Sequence, residues 1–513
     1  MSRPYALALL ALAAALLAPL LPAAAAPDDE IVKEFKKYFR KYTDTPTRVE
    51  AILALEGTES GGVVDVLVPI LKDAEPEVVR AAVRVLAGFE TRGPVDALLS
   101  TLESKKDEAI RVGLLRVLAD GGYGGTQEAV LPLLEDRSWE VRRRSILALA
   151  RVGDAAAVAE PIAELTGDKE PAVRCAALDG LALLRSELVL APARAALGDD
   201  SWQVRGSAIH ALRDVRHRDS IGPLIDRMAV EEGRLVADLG EALANITGRD
   251  FGQRLDAWQN FWKSYADRFQ IPTDEELKKL REKQKERQEM YKPPGAVTYH
   301  GIETPSRSIL FVIDVSGSME QEVTEKDRFR DGGYPSFKRM DIVKTELLRT
   351  VENLEPYVEF NVVSFATETK RWKKKQVKAN VLNKSSAATY IRRLEAIGGH
   401  SKEDLAAAGL SGSANLEAGK TNTFEALMDA LEVAGQGVRD KNYEVAIDTI
   451  FFLSDGRPSW GKYTDIEDIL REVRAANELR KVVLHTIAIG EFKKTFMERL
   501  ATENGGVFVD LGK

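Results

Sequence analysis

Five oxygen-bearing side chains stand out by type and spacing. Asp314, Ser316 and Ser318 alternate along one short turn, which Gly317 permits, directly after the apolar run 308–313. A second carboxylate, Asp455, follows the apolar run 449–454 and is itself followed by Gly456. Between them, Lys420-Thr421-Asn422-Thr423 precedes a helical pattern, and Thr421 supplies a further hydroxyl. Two carboxylates and three hydroxyls, with no His or Cys among them, describe a hard-cation site: Mg²⁺ is the first choice, with Mn²⁺ or Ca²⁺ as alternatives. Ser316 and Ser318 are expected to coordinate directly, and Asp314, Thr421 and Asp455 directly or through water. One such element alone is weak, because Asp-x-Ser-x-Ser also occurs in ordinary loops. Helix and turn capping is the plain alternative for each, but it does not explain all three on segments of the right kind.

Residues this far apart can share an ion only if their segments end at one edge of a common scaffold. From residue 307 onward the pattern is strands alternating with helices. Candidate strands are 308–314, 358–366, 448–455, 482–490 and 506–511, with helices near 336–353, 421–434, 464–479 and 493–503. Continuous apolar runs with helices between them predict a largely parallel sheet covered on both faces, an α/β doubly wound, Rossmann-like domain over 305–513. In such a sheet ligand sites gather beyond the carboxyl ends of the central strands, where Asp314 and Asp455 both fall.

This constellation resembles the von Willebrand factor type A (VWA) domain and its metal-ion-dependent adhesion site (MIDAS). The resemblance covers about residues 305–513 and rests on Asp314-x-Ser316-x-Ser318, on Thr421 ahead of a helix, and on Asp455-Gly456 after an apolar strand. It implies a domain that binds and does not turn over. Five side chains hold the ion, one coordination position stays open, and an Asp or Glu carboxylate of a protein partner completes it. Two departures bear on the site. The Gly-Gly that usually leads into the Thr is Gly419-Lys420 here, and about 20 residues, in the 400–420 region after Gly398-Gly399, read as an insertion beside the metal loops. A polar excursion at 320–335 borders the same site, and loops on a rigid sheet are where specificity resides.

The preceding half is a repeat. Leu55, Leu86, Leu118, Leu149, Leu181, Leu212 and Leu243 recur at steps of 31 or 32 residues. Within each block the apolar positions fall at helical spacing, which predicts an all-α solenoid of paired helices. Pro76, Trp139, Pro171 and Trp202 mark the start of the second helix of a pair. Arg111, Arg142, Arg174 and Arg205 recur beside those starts, where the helix dipole gives a cation nothing. Their stems are expected to cover the groove between repeats while the guanidinium reaches a loop carbonyl or an Asp such as Asp136, Asp168 or Asp200. The Arg is absent at Val79 and Val236, which fits an inter-repeat role that weakens near the ends. The pattern resembles short HEAT-type repeats over about 31–248. A helix with Trp258, Phe261 and Trp262 seals the open end, so the solenoid occupies 27–263. Residues 264–304 form a charged helical linker, with Thr273 and Glu276 as a capping box, and the two halves are expected to move relative to each other.

Residues 1–26 combine Arg3, an Ala/Leu run from Tyr5 to Leu21 and small residues at Ala23–Ala26, which reads as a secretory signal peptide. An uncleaved N-terminal anchor is the alternative, and no comparable apolar stretch follows. A net charge of -8 leaves no electrostatic footprint for nucleic acid. Cys175 is the single cysteine, which excludes an internal disulfide, and it is expected to be a buried side chain and not a reactive thiol. The five His make no zinc spacing; His485 is expected to be packed, and His400 lies near the proposed site. There is no nucleophile elbow, phosphate loop or protease His-Glu-x-x-His. The functional expectation is an exported or surface adhesion scaffold, periplasmic, cell-envelope or extracellular, and not an enzyme. The alternative is a component of an intracellular chelatase- or ATPase-linked assembly machine.

Overall fold

The computed structural model describes residues 28–280, 282, 298–299, 302–303, 306–397, 419–435, 447–455, 457–489 and 494–511. The signal-like segment, residues 400–418 of the insertion, His300, His400 and residues 281, 283–297, 300–301 and 304 of the linker lie outside the described residues. The chain falls into two compact units, Met1–Gly167 and Asp168–Lys513.

In the first unit, helices such as Pro76–Leu86, Glu108–Gly121 and Trp139–Val152 are the second members of helix pairs. In the second, Pro171–Leu183, Trp202–Asp214 and Leu235–Thr247 play the same part. Four of these helices begin at the Pro or Trp that the sequence marked. The reason is local: Pro76 and Pro171 fill a first-turn position whose N–H has no helical partner, and the Ser138 hydroxyl ahead of Trp139 accepts from the Val141 N–H. All seven recurring leucines are no more than 1% exposed, so the period is the period of the core.

The arginine rungs do two jobs. Arg174 donates from Nη1 to the Asp168 and Lys169 carbonyls at 2.9 and 3.3 Å, closing its own inter-helix turn, and clasps Asp199 through two bonds of 2.8 Å. Arg205 repeats this with the Asp199 and Asp200 carbonyls and with Glu231 at 2.8 and 3.1 Å. Arg111 takes the Lys105 carbonyl at 2.8 Å and pairs with Asp136, whereas Arg142 takes the Asp136 and Arg137 carbonyls. Asp168 and Asp200 therefore serve through their carbonyls. Arg48, one step before Val79, pairs with Asp73 in the same way, so the rung does not fade toward that end. These forks are partly buried, where an ionic hydrogen bond is worth more than at the surface.

Two of the sequence-level details recur as read. Trp258 on the Leu255–Tyr265 helix is fully buried and donates to the Gly252 carbonyl at 2.8 Å. Thr273 and Glu276 form the capping box, with bonds of 2.9 and 3.3 Å in the two directions. Cys175 is buried, and burial pushes its thiol up to about 11.

The α/β part begins with a short antiparallel pair, β1 (Thr298–Tyr299) and β2 (Ile302–Glu303). The main sheet comprises β3 (Ser308–Asp314), β4 (Glu359–Phe365), β5 (Thr369–Arg371), β6 (Val377–Lys378), β7 (Thr449–Ser454), β8 (Val483–Ala488) and β9 (Phe508–Asp510). Its order is β5-β4-β3-β7-β8-β9, with β6 also on β4. The β3, β4, β7, β8 and β9 pairings are parallel, and β5 and β6 run antiparallel at the edge. Successive side chains of β3 feed opposite cores. Ile309, Phe311 and Ile313 pack with the Arg339–Asn353 and Val381–Arg392 helices, whereas Leu310 and Val312 pack with Thr423–Val433, Ile466–Asn477 and Lys494–Thr502. The Val381–Arg392 helix was not expected. Its Val381 and Leu382 are 81% exposed and only Ala387 and Ile391 are buried, so it carries a weak apolar stripe.

Within the second unit the strand-start edge of the sheet is tied to the helical repeats. Arg234 donates to the Lys481 carbonyl at 2.9 Å, Lys481 pairs with Asp179, and Arg307 pairs with Glu232. These contacts oppose the expected free movement of the sheet against those repeats. Nearby, His485 stacks on Phe451 at 4.9 Å and accepts the Val507 N–H on Nδ1. Burial, and then the charge of Arg234, lower its pKa to about 4.

Two predictions follow from this packing. Arg174→Ala should lose about 2–3 kcal/mol of stability in a denaturant melt, while Arg84→Ala, removing a pair whose members are 66% and 45% exposed, should change it by less than about 0.5 kcal/mol. Because His485 is held neutral, its stabilising share is complete above the unfolded value near 6.5 and is lost as pH falls toward its folded value of about 4. His485→Asn, keeping an acceptor for Val507, should flatten the stability–pH curve across that window.

Candidate metal centre

Because β3 feeds β4 on one side and the chain returns to β7 on the other, the sheet has its switch point between β3 and β7. The crevice there lies at their carboxyl ends. Asp314 is the last residue of β3, and Asp455 is the residue after β7. Both are buried, at 0% and 5% exposure, as is Ser316 at 1%.

The turn after β3 folds back on its own carboxylate. Asp314 Oδ1 accepts the Ser316 N–H at 2.8 Å, and the Ser316 and Ser318 hydroxyls lie 3.2 Å apart. Ser318 Oγ donates to Asp455 Oδ1 at 2.7 Å, so the two strand ends meet through this hydroxyl. The third segment is brought in by its backbone. Gly317 N–H donates to the Gly419 carbonyl at 3.0 Å, and Asn422 N–H to the Ala366 carbonyl at 2.9 Å. Thr421 is clamped between these bonds. Its N–H donates to Ser459 Oγ at 3.0 Å, its carbonyl accepts from the Ser459 and Trp460 N–H groups, and it is 5% exposed. The Asn422 side chain caps the Thr423–Val433 helix by accepting the Glu425 N–H. The segments carrying all five expected ligands therefore converge on one edge of the sheet.

Two further residues belong to this network and were not read from the sequence. Ser454 Oγ donates to Asp314 Oδ2 at 2.5 Å. Arg339 Nη1 donates to Asp455 Oδ2 at 2.7 Å and to the Ser318 carbonyl at 3.4 Å. Ser454 gave a faint signal, a hydroxyl at the end of an apolar strand beside the acid. Arg339 broke a local rule, a cation at the first turn of a helix, and that conflict was its signal. Lys420, in place of the usual Gly, lies over the Trp460 ring with Nζ 4.1 Å from its centroid.

The electrostatics suit a cation. Burial, then the negative charge of Asp455, holds the Asp314 carboxyl well above the ordinary carboxylate range; hydrogen bonds from Ser316 and Ser454 work against this. Burial also raises Asp455, opposed by Ser318 and Arg339. Two acids that resist ionising side by side would both be relieved by a divalent ion. Among the described residues no cluster of three or more His, Cys, Asp or Glu could hold a metal, so a hydroxyl-rich site with two carboxylates is the donor chemistry on offer, and it fits a hard ion.

Residues 32–111, 95–160 and 158–244 match the family model of HEAT repeats, and residues 308–511 match that of the von Willebrand factor type A domain. The chain is similar to inter-alpha-trypsin inhibitor heavy chain H4 of Homo sapiens, 25% identical over 209 residues that make up 40% of this chain and 18% of that protein. It is also similar to heavy chain H1 of Mesocricetus auratus, 28% identical over 203 residues, 39% of this chain and 18% of that one. The chain thus matches less than a fifth of the length of either relative. Among solved structures it is similar to proximal thread matrix protein 1 from the mussel byssus with a zinc occupied MIDAS motif, at 18% identity and a TM-score of 0.25, covering 40% of this chain and 44% of that one. A designed armadillo repeat protein is similar at 18% identity and a TM-score of 0.25, covering 36% of this chain and 99% of that one. At these scores neither likeness bears on function.

Millimolar Mg²⁺ or Mn²⁺ should raise the melting temperature by a few degrees, the equivalent of about 1–2 kcal/mol for an ion present at some tenfold over its Kd. Asp314→Ala should abolish the rise. A variant that still responded fully would remove Asp314 from the site.

Proposed function

We infer that this chain, which carries HEAT repeats over residues 32–244 and a von Willebrand factor type A domain over residues 308–511, is an exported scaffold that binds an acidic group of a protein partner at the crevice between β3 and β7. The observation that carries this reading is the convergence of Asp314, Ser316 and Ser318, the Thr421 segment and Asp455 through bonds of 2.7–3.2 Å. When bound, a divalent ion, with Mg²⁺ the first choice, supplies a Lewis-acidic contact for a carboxylate oxygen. Asp314, Ser316, Ser318, Thr421 and Asp455 would hold it.

The chain's own groups favour binding over turnover. A hydrolytic enzyme needs a base beside the metal-activated water. Both carboxylates of this network are already engaged, Asp314 by the Ser316 N–H and Ser454 and Asp455 by Ser318 and Arg339. Ser316 and Ser318 are neutral donors, so an incoming Asp or Glu gains a charge-assisted bond. The buried β3 and β7 strands fix the floor of the site, and the loops at 320–335 and 457–460 form part of its rim. The helical repeats act as a spacer or second binding surface, and those of the second unit are held to the sheet on its opposite edge by Arg234, Lys481 and Arg307. Export rests on the Ala/Leu-rich start and the small residues at Ala23–Ala26. No described helix is long and apolar enough to cross a membrane.

The test is a pull-down with the full chain from cell-envelope and cytosolic extracts, each with Mg²⁺ or with EDTA. A partner should come from the envelope fraction only, be lost with EDTA, and be lost at least tenfold with Asp314→Ala, the size expected when one charged anchor of an interface is removed. Retention of an unchanged partner in EDTA would refute metal-mediated binding, and recovery only from the cytosol would favour the assembly-machine role.

A further inference from the structure

Arg339 is placed where two general rules disfavour a cation. It opens the Arg339–Asn353 helix, where the dipole repels positive charge. It is 8% exposed, and burying a guanidinium is costly unless it is paired. Its Nε has no hydrogen-bond partner among the described residues. Nor is it a wandering surface side chain. Its backbone N–H donates to the Gln321 carbonyl and Val323 N–H to the Phe337 carbonyl, both at 2.9 Å, and Glu322 bridges Lys338, so the loop after the Asp-x-Ser-x-Ser turn is stitched to the start of this helix. Met340, its neighbour, is anchored in the core.

What the residue gains is two bonds at the metal centre, a short one to Asp455 and a longer one to the Ser318 carbonyl. Nη1 meets Asp455 Oδ2 at 2.7 Å, while Ser318 takes Oδ1. Both oxygens of Asp455 are thus fixed in direction by the protein, and once a bound cation holds both acids ionised, the buried set of two carboxylates and one guanidinium carries a net charge of −1 in place of −2. We propose that Arg339 is a positioning residue of the metal centre that orients Asp455 and offsets its charge, so that a divalent ion held there keeps an excess of positive charge for an anionic partner group. The proposal rests on the metal reading above. The arrangement trades ion affinity in the free protein for affinity toward the partner. By linkage, ion and partner carboxylate then strengthen each other's binding.

The experiment is calorimetric titration of the full chain with Mg²⁺ and Mn²⁺ alone, at fixed ionic strength, in wild type, Arg339→Gln, Arg339→Met and Arg339→Lys. Arg339→Gln and Arg339→Met remove the charge and should bind the ion about tenfold tighter or more, the order expected for deleting a like charge a few ångströms away in a partly buried site. Arg339→Lys retains the charge and should bind within about twofold of wild type. If one neutral variant fails to fold in ion-free buffer, the other supplies the comparison, and saturating Mg²⁺ should raise the Tm of the neutral variants more than that of wild type. A merely structural Arg339 would lower Tm without tightening ion binding. Wild-type ion binding with neutral variants that bind no tighter overturns the role of Arg339 and leaves the metal reading standing. No ion binding by wild type overturns both.

Discussion

Two carboxylates that end neighbouring strands cannot both stay ionised in a buried crevice without compensation, and the architecture of this edge follows from that constraint. Asp314 is fully buried, and it is linked to Asp455 through the turn after β3: the Ser316 N–H meets Asp314, the Ser316 hydroxyl meets that of Ser318, and Ser318 donates to Asp455. Each of their oxygens meets a donor: a backbone N–H, two serine hydroxyls and one guanidinium. None of these donors would sit where it does without the parallel order of β4, β3 and β7, which brings the two acids to one rim. Loops close over the rim by backbone bonds, Gly317 to Gly419 and Asn422 to Ala366, so the main chain itself holds the segments of the site together.

The helical half solves a different problem with a similar device. A stack of short helices leaves inter-helix turns whose carbonyls need donors, and a single Arg per repeat satisfies two of them while its far side holds an acid about 25 residues on. The device recurs because the geometry recurs, which is why repeat proteins are stabilised by nearest-neighbour terms. In the second unit Asp179, on the Pro171–Leu183 helix, and Glu232 and Arg234, in the turn ahead of the Leu235–Thr247 helix, meet the strand-start edge of the sheet. The candidate metal centre is at the other ends of those strands.

Much of this was legible because it is written in short-range patterns. The β3 strand occupies the run 308–314 as read, and β4, β7, β8 and β9 lie within a residue or two of their apolar runs. The short strands β5 and β6 were missed. Their charged residues, Lys370, Arg371 and Lys378, are what an edge strand uses to avoid pairing with another chain, and they erase the apolar signal. The Val381–Arg392 helix was missed for the same kind of reason, since it buries too little to show a stripe. The fading of the arginine rung toward the first repeats was misjudged, because Arg48 precedes the stretch where the pattern was counted.

The sequence by itself determined the two architectures, the repeat register and the Asp314, Ser316, Ser318, Thr421 and Asp455 constellation, because periodicity and motif spacing are properties of residues a few positions apart. Tertiary structure alone decided that Ser454 holds Asp314, that Arg339 holds Asp455 across 116 residues, and that Arg234 meets Lys481 across 247. Such pairings depend on which strands become neighbours and on where a helix start is stitched to a loop. No local preference of Arg339 encodes that, and the helix dipole opposes it; only the burial of a second carboxylate beside the first makes the position favourable.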